Sequence, residues 1–222
     1  MLRSMLAGMF SVLLVAGIIG LTVFLTTDTP SAAPKLTTTT STASQSQHSA
    51  QATPTPTASV EALPKVKIRT LTAAAKAAGC TISNPPVLSA MHDTREFTEA
   101  DYNSNPPTSG EHFPEWYEDG IYAPGTTPNL GMLVHTLEHG RIDLQYKPGT
   151  SPETVTRLEK LVDELDSGYH MLLFENGTDM PYAVAATAWG HLLGCPTMND
   201  KVFDAIRAFR ANYVDKGPEV VP

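Results

Sequence analysis

Cysteine is scarce in this sequence, and several common catalytic motifs are missing. The chain has two cysteines, Cys80 and Cys195, and they do not form a C-x-x-C pair. This disfavours a thiol oxidoreductase. A glycine-rich phosphate loop and a G-x-S-x-G nucleophile elbow are also missing, so neither a P-loop enzyme nor an α/β-hydrolase is indicated.

Basic residues are outnumbered as well. The formal net charge is −8, from 15 Lys and Arg against 23 Asp and Glu. The charges before residue 64 are Arg3, Asp28, Lys35 and Glu61, and they cancel. The acidic excess therefore belongs to residues 64–222, which argues against binding to nucleic acid or to anionic lipid. An acidic domain suits a cation or a small molecule instead.

A long apolar run lies near the N-terminus. From Leu6 to Leu25 the chain carries no charge, and a helix of about 20 residues spans the ~30 Å hydrocarbon core of a bilayer. Arg3 precedes the run and the next basic residue is Lys35, so the positive-inside rule places the N-terminus in the cytoplasm. The sequence predicts a single-pass protein of the cell membrane, with a cytoplasmic stub (1–5), a transmembrane helix (6–26) and the rest of the chain outside the cytoplasm.

A cleaved signal peptide is the alternative interpretation of this run. Ser31-Ala32-Ala33 offers the small residues of a cleavage site. The apolar region of a signal peptide usually has about 7–15 residues, which is shorter than the run seen here. A retained anchor is therefore favoured, and both interpretations export the domain.

Residues 27–63 have the composition of a linker. They are rich in Thr, Ser, Ala, Gln and Pro, and they include very few large apolar side chains. Such a segment cannot bury enough apolar surface to offset the entropy lost on ordering, so a disordered Thr/Ser/Pro linker is predicted. The remaining residues, 64–222, are enough for one extracytoplasmic domain.

Both cysteines fall in this domain. In an oxidising compartment, two cysteines of one domain usually pair. A Cys80–Cys195 disulfide would close a long loop, which is worth about 4–5 kcal/mol in the chain-entropy model. We therefore predict this disulfide, and two buried thiols are the alternative.

Sequence patterns predict an α+β fold, in which helices pack on a small sheet. Residues Arg141–Tyr146 alternate between polar and apolar side chains, as a half-buried strand does. Ser151 followed by Pro152 is typical of a helix start. The predicted helices are Thr70–Gly79, Leu130–Glu138, Ser151 to about Asp166, and Asp200–Tyr213, and the predicted strands are Arg141–Tyr146, Tyr169–Glu175 and Tyr182–Trp189.

A long segment between the first two predicted helices, Asn84–Pro128, is rich in Pro, Gly and Asn. It predicts an ordered loop with short strands, and a loop of this length in a compact domain is often functional. Near its middle, Pro106 and Pro107 stiffen the chain and Gly110 allows a tight bend. The next histidine, His112, is thereby presented on a rigid loop.

Four histidines in this region suggest a metal site. If Leu130–Glu138 is helical, His135 and His139 lie one turn apart, which lets two imidazoles share one ion. His112 is the predicted third ligand, and His92 is a possible fourth. Imidazole suits several transition metals, so zinc or copper is expected without a choice between them. Met132 and Met198 would favour copper(I) if they lay nearby.

Binding, storage or sensing of a metal is predicted rather than catalysis, because no general base is clearly placed. Glu138 is expected to lie off the histidine face and to act as an outer partner that holds an imidazole N–H. A zinc hydrolase is one alternative, since His135-Thr136-Leu137-Glu138-His139 matches H-x-x-E-H. A metal-free interaction module is another, with Trp116, Tyr117 and Tyr122 on the loop binding a protein partner.

Several short motifs follow one another in a specific order. They are His92, Tyr102 with Pro106-Pro107-Thr108-Ser109-Gly110-Glu111-His112, Gly120-Ile121-Tyr122, His135-Thr136-Leu137-Glu138-His139-Gly140, Ala188-Trp189-Gly190 and Pro218-Glu219. With these motifs, the chain from Cys80 to Glu219 resembles the bacterial domain-of-unknown-function 3105 family, although the usual pattern has Pro at Glu111. The resemblance implies an exported or membrane-anchored protein and supports the four histidines, but it implies no reaction.

Overall fold

The computed structural model describes residues 62–126, 129–219 and 221. Within these ranges, no helix is long and apolar enough to cross a membrane. The predicted transmembrane helix (6–26) and nearly all of the predicted linker (27–63) lie outside the described residues. Both therefore stay predictions.

The described part of the chain forms six strands and four α-helices, which confirms the predicted α+β class. The strands are β1 (Thr81–Ser83), β2 (Gly120–Ile121), β3 (Ile142–Tyr146), β4 (Met171–Glu175), β5 (Val184–Ala188) and β6 (His191–Cys195). The helices are α1 (Leu71–Ala78), α2 (Leu130–Glu138), α3 (Pro152–Glu164) and α4 (Asp200–Tyr213).

The strands form one mixed sheet in the order β1-β6-β5-β3-β4-β2. Strands β3 and β4 are parallel and are joined through α3, and β2 runs parallel to β4. The pairs β3–β5, β5–β6 and β1–β6 are antiparallel. Trp189 and Gly190 make the tight turn from β5 to β6, where Gly190 has a φ of 73°, a left-handed conformation that glycine adopts readily.

The positions of three of the six strands were not predicted, although short strands were expected in the Asn84–Pro128 loop, which contains β2. Strands β1 and β2 have three and two residues, so they are too short to show a period of two. Strand β6 follows β5 after a two-residue turn and contains Gly194, which weakens its strand signal. Gly194 lies against the ring of Tyr182, in a position where a Cβ would collide with that ring.

Helices α1, α3 and α4 cover one face of the sheet. In β3, Ile142, Leu144 and Tyr146 point toward these helices, because alternate strand residues face the same side. The apolar core on this face also includes Ala75, Leu158, Val162, Phe203, Ile206 and Phe209. Each fully buried Leu, Ile or Phe stabilises the fold by about 1.5–3 kcal/mol, so this face supplies most of the hydrophobic stabilisation.

Helix α2 covers the opposite face, where the buried layer is more polar. Asp143 and Gln145 of β3 point to this side and are almost fully buried. Thr136 of α2 donates a hydrogen bond to Asp143 Oδ1 at 3.0 Å, and Gln145 Nε2 donates to Thr187 Oγ1 at 3.4 Å. The prediction that β3 is half-buried is therefore wrong, because its polar residues face a second covered layer.

The predicted disulfide between Cys80 and Cys195 is present and spans 115 residues. It joins the end of α1 to the end of β6, beside the apolar core. Strand β1 pairs with β6 next to it, so Thr81 lies opposite Gly194. The beginning and the end of the domain are thus linked both covalently and through the sheet.

The predicted limits of the helices differ slightly from those in the structure. Helix α3 starts as predicted, with Ser151 Oγ accepting from the Thr154 amide at 3.2 Å and Pro152 at the first position. It ends at Glu164, because Asp166 and Ser167 adopt positive φ values of 56° and 54°. Thr70 precedes α1, but its side chain makes no capping hydrogen bond.

Candidate metal centre

A short backbone pairing places His92 beside His112. The amide of Asp93 donates to the carbonyl oxygen of His112 at 2.8 Å, and the amide of His112 donates to the carbonyl oxygen of Met91 at 3.2 Å. The two histidines form an isolated parallel bridge outside the named strands. These hydrogen bonds bring together two residues that are 20 positions apart in the loop.

The loop before His112 is tied to the rest of the domain. The carbonyl oxygen of Thr108 accepts from the amide of Gly190 at 2.8 Å, and Ser109 Oγ accepts from the amide of Leu88 at 3.0 Å. At Gly110 the φ is 146°, and a Cβ would lie 2.7 Å from the ring of Tyr102. The close packing of Tyr102 therefore requires glycine here, and it holds the chain immediately before His112 in place.

Helix α2 contributes His135 and Glu138. The helix begins after Asn129, whose Oδ1 accepts from the amide of Met132 at 3.1 Å. Residues three apart on a helix are neighbours, as residues four apart are. His135 and Glu138 consequently reach the same cluster, and the expectation that Glu138 lies off the histidine face is wrong.

Four potential ligand atoms meet at this point, one each from His92, His112, His135 and Glu138, and all lie within 4.8 Å of one another. Glu138 Oε2 is 3.0 Å from His112 Nε2 and 3.8 Å from His92 Nε2. In a tetrahedral zinc site with bonds of ~2.0–2.1 Å, neighbouring ligand atoms are roughly 3.3 Å apart. These two separations bracket this value, and the other ligand atoms lie within 4.8 Å, so the four groups are near enough to surround one ion.

Backbone carbonyls orient two of the imidazole rings. His112 Nδ1 lies 2.7 Å from the carbonyl oxygen of Gly110, and His135 Nδ1 lies 2.8 Å from that of Phe113. Because a carbonyl oxygen only accepts, each Nδ1 carries the proton, and Nε2 of the neutral ring presents its lone pair. Metal-ligating histidines are commonly held in this way.

The Nε2 atom of His112 lacks a hydrogen-bond partner among the described residues, although it is buried. Glu138 Oε2 lies 3.0 Å from this atom, but the two atoms do not form a hydrogen bond. With the proton on Nδ1, both atoms are acceptors. Two facing acceptors away from water are unfavourable unless a cation or a proton lies between them.

Burial also sets the protonation of the cluster. It lowers the pKa of His112 and of His135 below that of an exposed histidine, and it raises the pKa of Glu138. The neutral imidazole is the form that binds a metal, so burial keeps these two rings in that form at a lower pH than usual. The His92 side chain is 47% exposed and lies on the solvent side.

His139 belongs to a neighbouring cluster, together with His135 and Glu219. It caps the end of α2, where its Nε2 lies 3.3 Å from Glu219 Oε2 and its Nδ1 accepts from Arg141 Nη1 at 3.4 Å. Burial lowers the pKa of His139 to about 4. Of the four predicted histidine ligands, the structure therefore groups three together, and Glu138 stands where His139 was expected.

The aromatic residues of the loop mostly pack against the domain. Trp116 meets the ring of His139 at 4.7 Å between centroids, and it is 39% exposed. Tyr117 OH accepts from the amide of Asn129 at 2.8 Å, and Tyr122 OH donates to the carbonyl oxygen of Glu118 at 2.8 Å. Both tyrosines thus have structural partners, so only Trp116 of the predicted interaction surface remains substantially open to solvent.

The donor groups of this cluster could hold a metal ion. Both cysteines are in the disulfide, and Met198 packs against the apolar core rather than the histidines. Three imidazoles and a carboxylate suit zinc, copper and other divalent transition metals alike. The H-x-x-E-H signature uses both of its histidines on one ion, and here His135 and His139 lie together with Glu219 in the second cluster, while Glu138 belongs to the first.

Comparison with known protein families shows which family the domain belongs to. The family described as "Protein of unknown function (DUF3105)" matches residues 93–221, which is more than half of the chain. The chain belongs to the DUF3105 family. This confirms the resemblance, and the match includes His112, His135 and Glu138 while beginning one residue after His92. No curated protein and no solved structure matches this DUF3105 chain.

Proposed function

We propose that this DUF3105 domain binds a divalent transition-metal ion, preferably zinc, through His92, His112, His135 and Glu138. The observation that carries the proposal is the pair of facing acceptors, His112 Nε2 and Glu138 Oε2, which lie 3.0 Å apart with the imidazole atom buried. A cation between them satisfies both atoms at once. The carbonyl-held rings of His112 and His135 are already oriented for this role.

The proposed site is one for binding, storage or sensing. Four protein donors fill the coordination sphere of tetrahedral zinc, as they do in non-catalytic sites. Exposure of His92 offers the ion a route from solvent. The negative charge of the domain also attracts cations.

The test uses the full chain, purified in detergent with an affinity tag that contains no histidine. Metal content is measured by elemental analysis, and zinc affinity by titration calorimetry. We expect one zinc ion per chain in the wild type. His112→Ala and Glu138→Gln are each expected to lose roughly 100-fold or more in affinity, because even changes to outer partners of a metal site cost 10–100-fold.

His191→Gln is the matched control, because His191 bonds to Asn84 through Nδ1 and lies outside both clusters. His139→Gln is expected to keep most of the zinc affinity. Equal zinc binding by the wild type and the His112→Ala variant would overturn the proposal. Zinc that stays bound in Glu138→Gln would instead place Glu138 beside the ion as a general base, and would direct attention to hydrolysis.

We further propose that the domain is held outside the cytoplasm by the N-terminal segment. The support is the charge-free run Leu6–Leu25 after Arg3 and the Cys80–Cys195 disulfide, which is typical of an oxidising compartment. Protease added to intact cells is expected to release the domain as a soluble fragment. A domain that is degraded only after the cells are broken would contradict this proposal.

A further inference from the structure

The second histidine cluster shares one residue with the proposed metal site. It consists of His135, His139 and Glu219, whose potential ligand atoms lie within 4.8 Å of one another, and His135 also belongs to the first cluster. Because the carbonyl oxygen of Phe113 holds His135 Nδ1 at 2.8 Å, only Nε2 has a lone pair for a metal. One lone pair binds one ion, so His135 serves the two clusters in turn and not together.

The C-terminal segment holds Glu219 over the end of α2. The amide of Glu219 donates to the carbonyl oxygen of Glu138 at 3.1 Å, and the amide of Asp215 donates to that of Gly140 at 2.9 Å. Gly217 lies so close to the Glu138 carbonyl that a Cβ on it would collide with the oxygen. This packing fixes Glu219 next to the residue that supplies the carboxylate of the first cluster.

A chain of polar contacts orients the Glu219 carboxylate. Its Oε2 atom lies 3.3 Å from His139 Nε2. His139 Nδ1 accepts from Arg141 Nη1 at 3.4 Å, so the proton of the neutral ring is on Nε2, the atom that faces Glu219. Arg141 Nε in turn donates to Asp119 Oδ1 at 2.8 Å. His139 therefore holds the carboxylate in place, as the outer partners of metal ligands do.

The two clusters differ in their access to solvent. The His112 side chain is fully buried, whereas that of Glu219 is 50% exposed. Glu219 is also near enough to act on the first cluster, because its charge adds to burial in raising the pKa of Glu138, against the effect of His135. Two carboxylates this close together favour a cation beside them. An ion that arrives from solvent meets the exposed carboxylate before the buried one.

We propose that Glu219 and His135 form a capture position through which the metal ion enters the first cluster. The inference rests on the proposed metal site and adds a route into it. The hydrated ion binds Glu219 and then the Nε2 lone pair of His135. It moves inward as the other ligands of the first cluster replace Glu219. His135 remains a ligand throughout, because it belongs to both clusters.

The test measures how fast zinc binds to the metal-free full chain in detergent, by stopped-flow fluorescence. Both tryptophans of the chain report on the site, because the ring centroid of Trp189 lies 6.0 Å from that of His112 and Trp116 lies 5.4 Å from His135. We expect Glu219→Gln to slow association roughly 10-fold, at the lower end of the range by which local charge raises association rates. A capture position speeds entry and release alike, so the affinity measured by calorimetry is expected to change far less.

Glu111→Gln is the matched control. Glu111 has a side chain of similar exposure, at 45%, and it adjoins His112 but lies outside both clusters. It is expected to bind zinc at the wild-type rate. Equal slowing in Glu219→Gln and Glu111→Gln would overturn the proposal, because it would show attraction by overall charge only.

Equal association rates in the wild type and Glu219→Gln would also overturn the proposal, and would leave the exposed His92 as the route of entry. So would a loss of affinity in Glu219→Gln as large as that in His112→Ala, which would make Glu219 a ligand of the final site. Each of these results leaves the metal site standing. A wild type that binds no zinc would instead overturn the proposed function and this inference together.

Discussion

The two faces of the sheet differ in what they bury. Toward α1, α3 and α4, strand β3 presents Ile142 and Leu144, and the layer beyond them is apolar. Toward α2, the same strand presents Asp143 and Gln145, and the layer beyond them holds hydrogen bonds and, farther along, the histidine cluster. A single five-residue strand thus separates a layer that stabilises the domain from one that carries polar groups.

This difference shows how a small domain can bury a polar site. Burying hydrogen-bonding groups adds little net stability, and leaving one unpaired is costly. The apolar face supplies the stability that the polar layer lacks. Its contacts do not depend on the protonation or metal occupancy of that layer. We therefore expect substitutions on the apolar face to change stability without changing the affinity of the folded protein for metal.

The largest effect is expected from Phe203→Ala in α4. Phe203 is fully buried in the apolar core, and truncating a buried Phe usually costs about 3–5 kcal/mol. Chemical denaturation measures this loss in the free energy of unfolding. Zinc titration of the protein that remains folded is expected to give the wild-type affinity, and a clear drop would show that the two faces are coupled.

The polar face is expected to respond to pH through Asp143. Burial raises the pKa of Asp143 to about 8, although the hydrogen bond from Thr136 opposes the shift. The folded protein then holds a proton that the unfolded chain, with an Asp pKa of about 3.9, releases. Stability is therefore expected to fall as pH rises between about 4 and 8.

Asp143→Asn removes the charge and keeps a group that can bond to Thr136. Denaturation curves at several pH values measure the free energy of unfolding. We expect that of the variant to rise relative to that of the wild type as pH increases through this range. Asp163→Asn, on the exposed surface of α3, serves as the control and is expected to follow the wild type. A constant difference between Asp143→Asn and the wild type would contradict the raised pKa.

Removal of the disulfide is the next largest change. The double variant Cys80→Ala/Cys195→Ala frees a loop that spans 115 residues, and loss of such a cross-link typically costs about 2–4 kcal/mol. Both sulfurs lie beside the apolar core, so thermal unfolding should be affected and zinc affinity should not. An unchanged melting temperature would show that β1 and β6 are held together by other contacts alone.

The smallest effects are expected from two equivalent helix caps, one on each face. Asn129 caps α2 and Ser151 caps α3, each through one side-chain hydrogen bond to a backbone amide. Replacing either with Ala should cost about 1 kcal/mol of stability. Because α2 carries His135 and Glu138, only the Asn129 variant is expected to lower zinc affinity, and an equal decrease in both variants would contradict the separation of the faces.

The sequence predicted the helices better than the strands. Ser151-Pro152 marks the start of α3 through local chemistry that needs no information from the rest of the chain. Strands β1 and β2 exist only because β6 and β4 lie beside them, and pairing between distant segments leaves little trace in short sequences. The polar residues of β3 indicated a solvent-facing side for the same reason, since only the fold places α2 over them.

The candidate site was predicted in part. The spacing of His135 and His139 predicted a pair, and the structure places both beside Glu219. His112 and His92 meet His135 in the other cluster, which His139 does not enter. Glu138, three residues after His135, was available as a neighbour by helical geometry alone. The approach of His92 to His112 depends on backbone hydrogen bonds between loop segments, and no periodic pattern encodes such contacts.

The pairing of the first strand with the last has a consequence for how the chain folds during synthesis. Among the residues that the structure describes, strand β1 pairs with β6 alone, and α4, which packs on α1, follows β6 in the chain. Contacts between distant segments form late, because the entropy of closing a long loop is lost before they stabilise the chain. Because synthesis runs from the N-terminus, the apolar surfaces of α1 and β1 remain unpacked until almost the whole domain has been synthesised. A chaperone that shields residues 71–83 during this interval would protect the step at which aggregation is most expected.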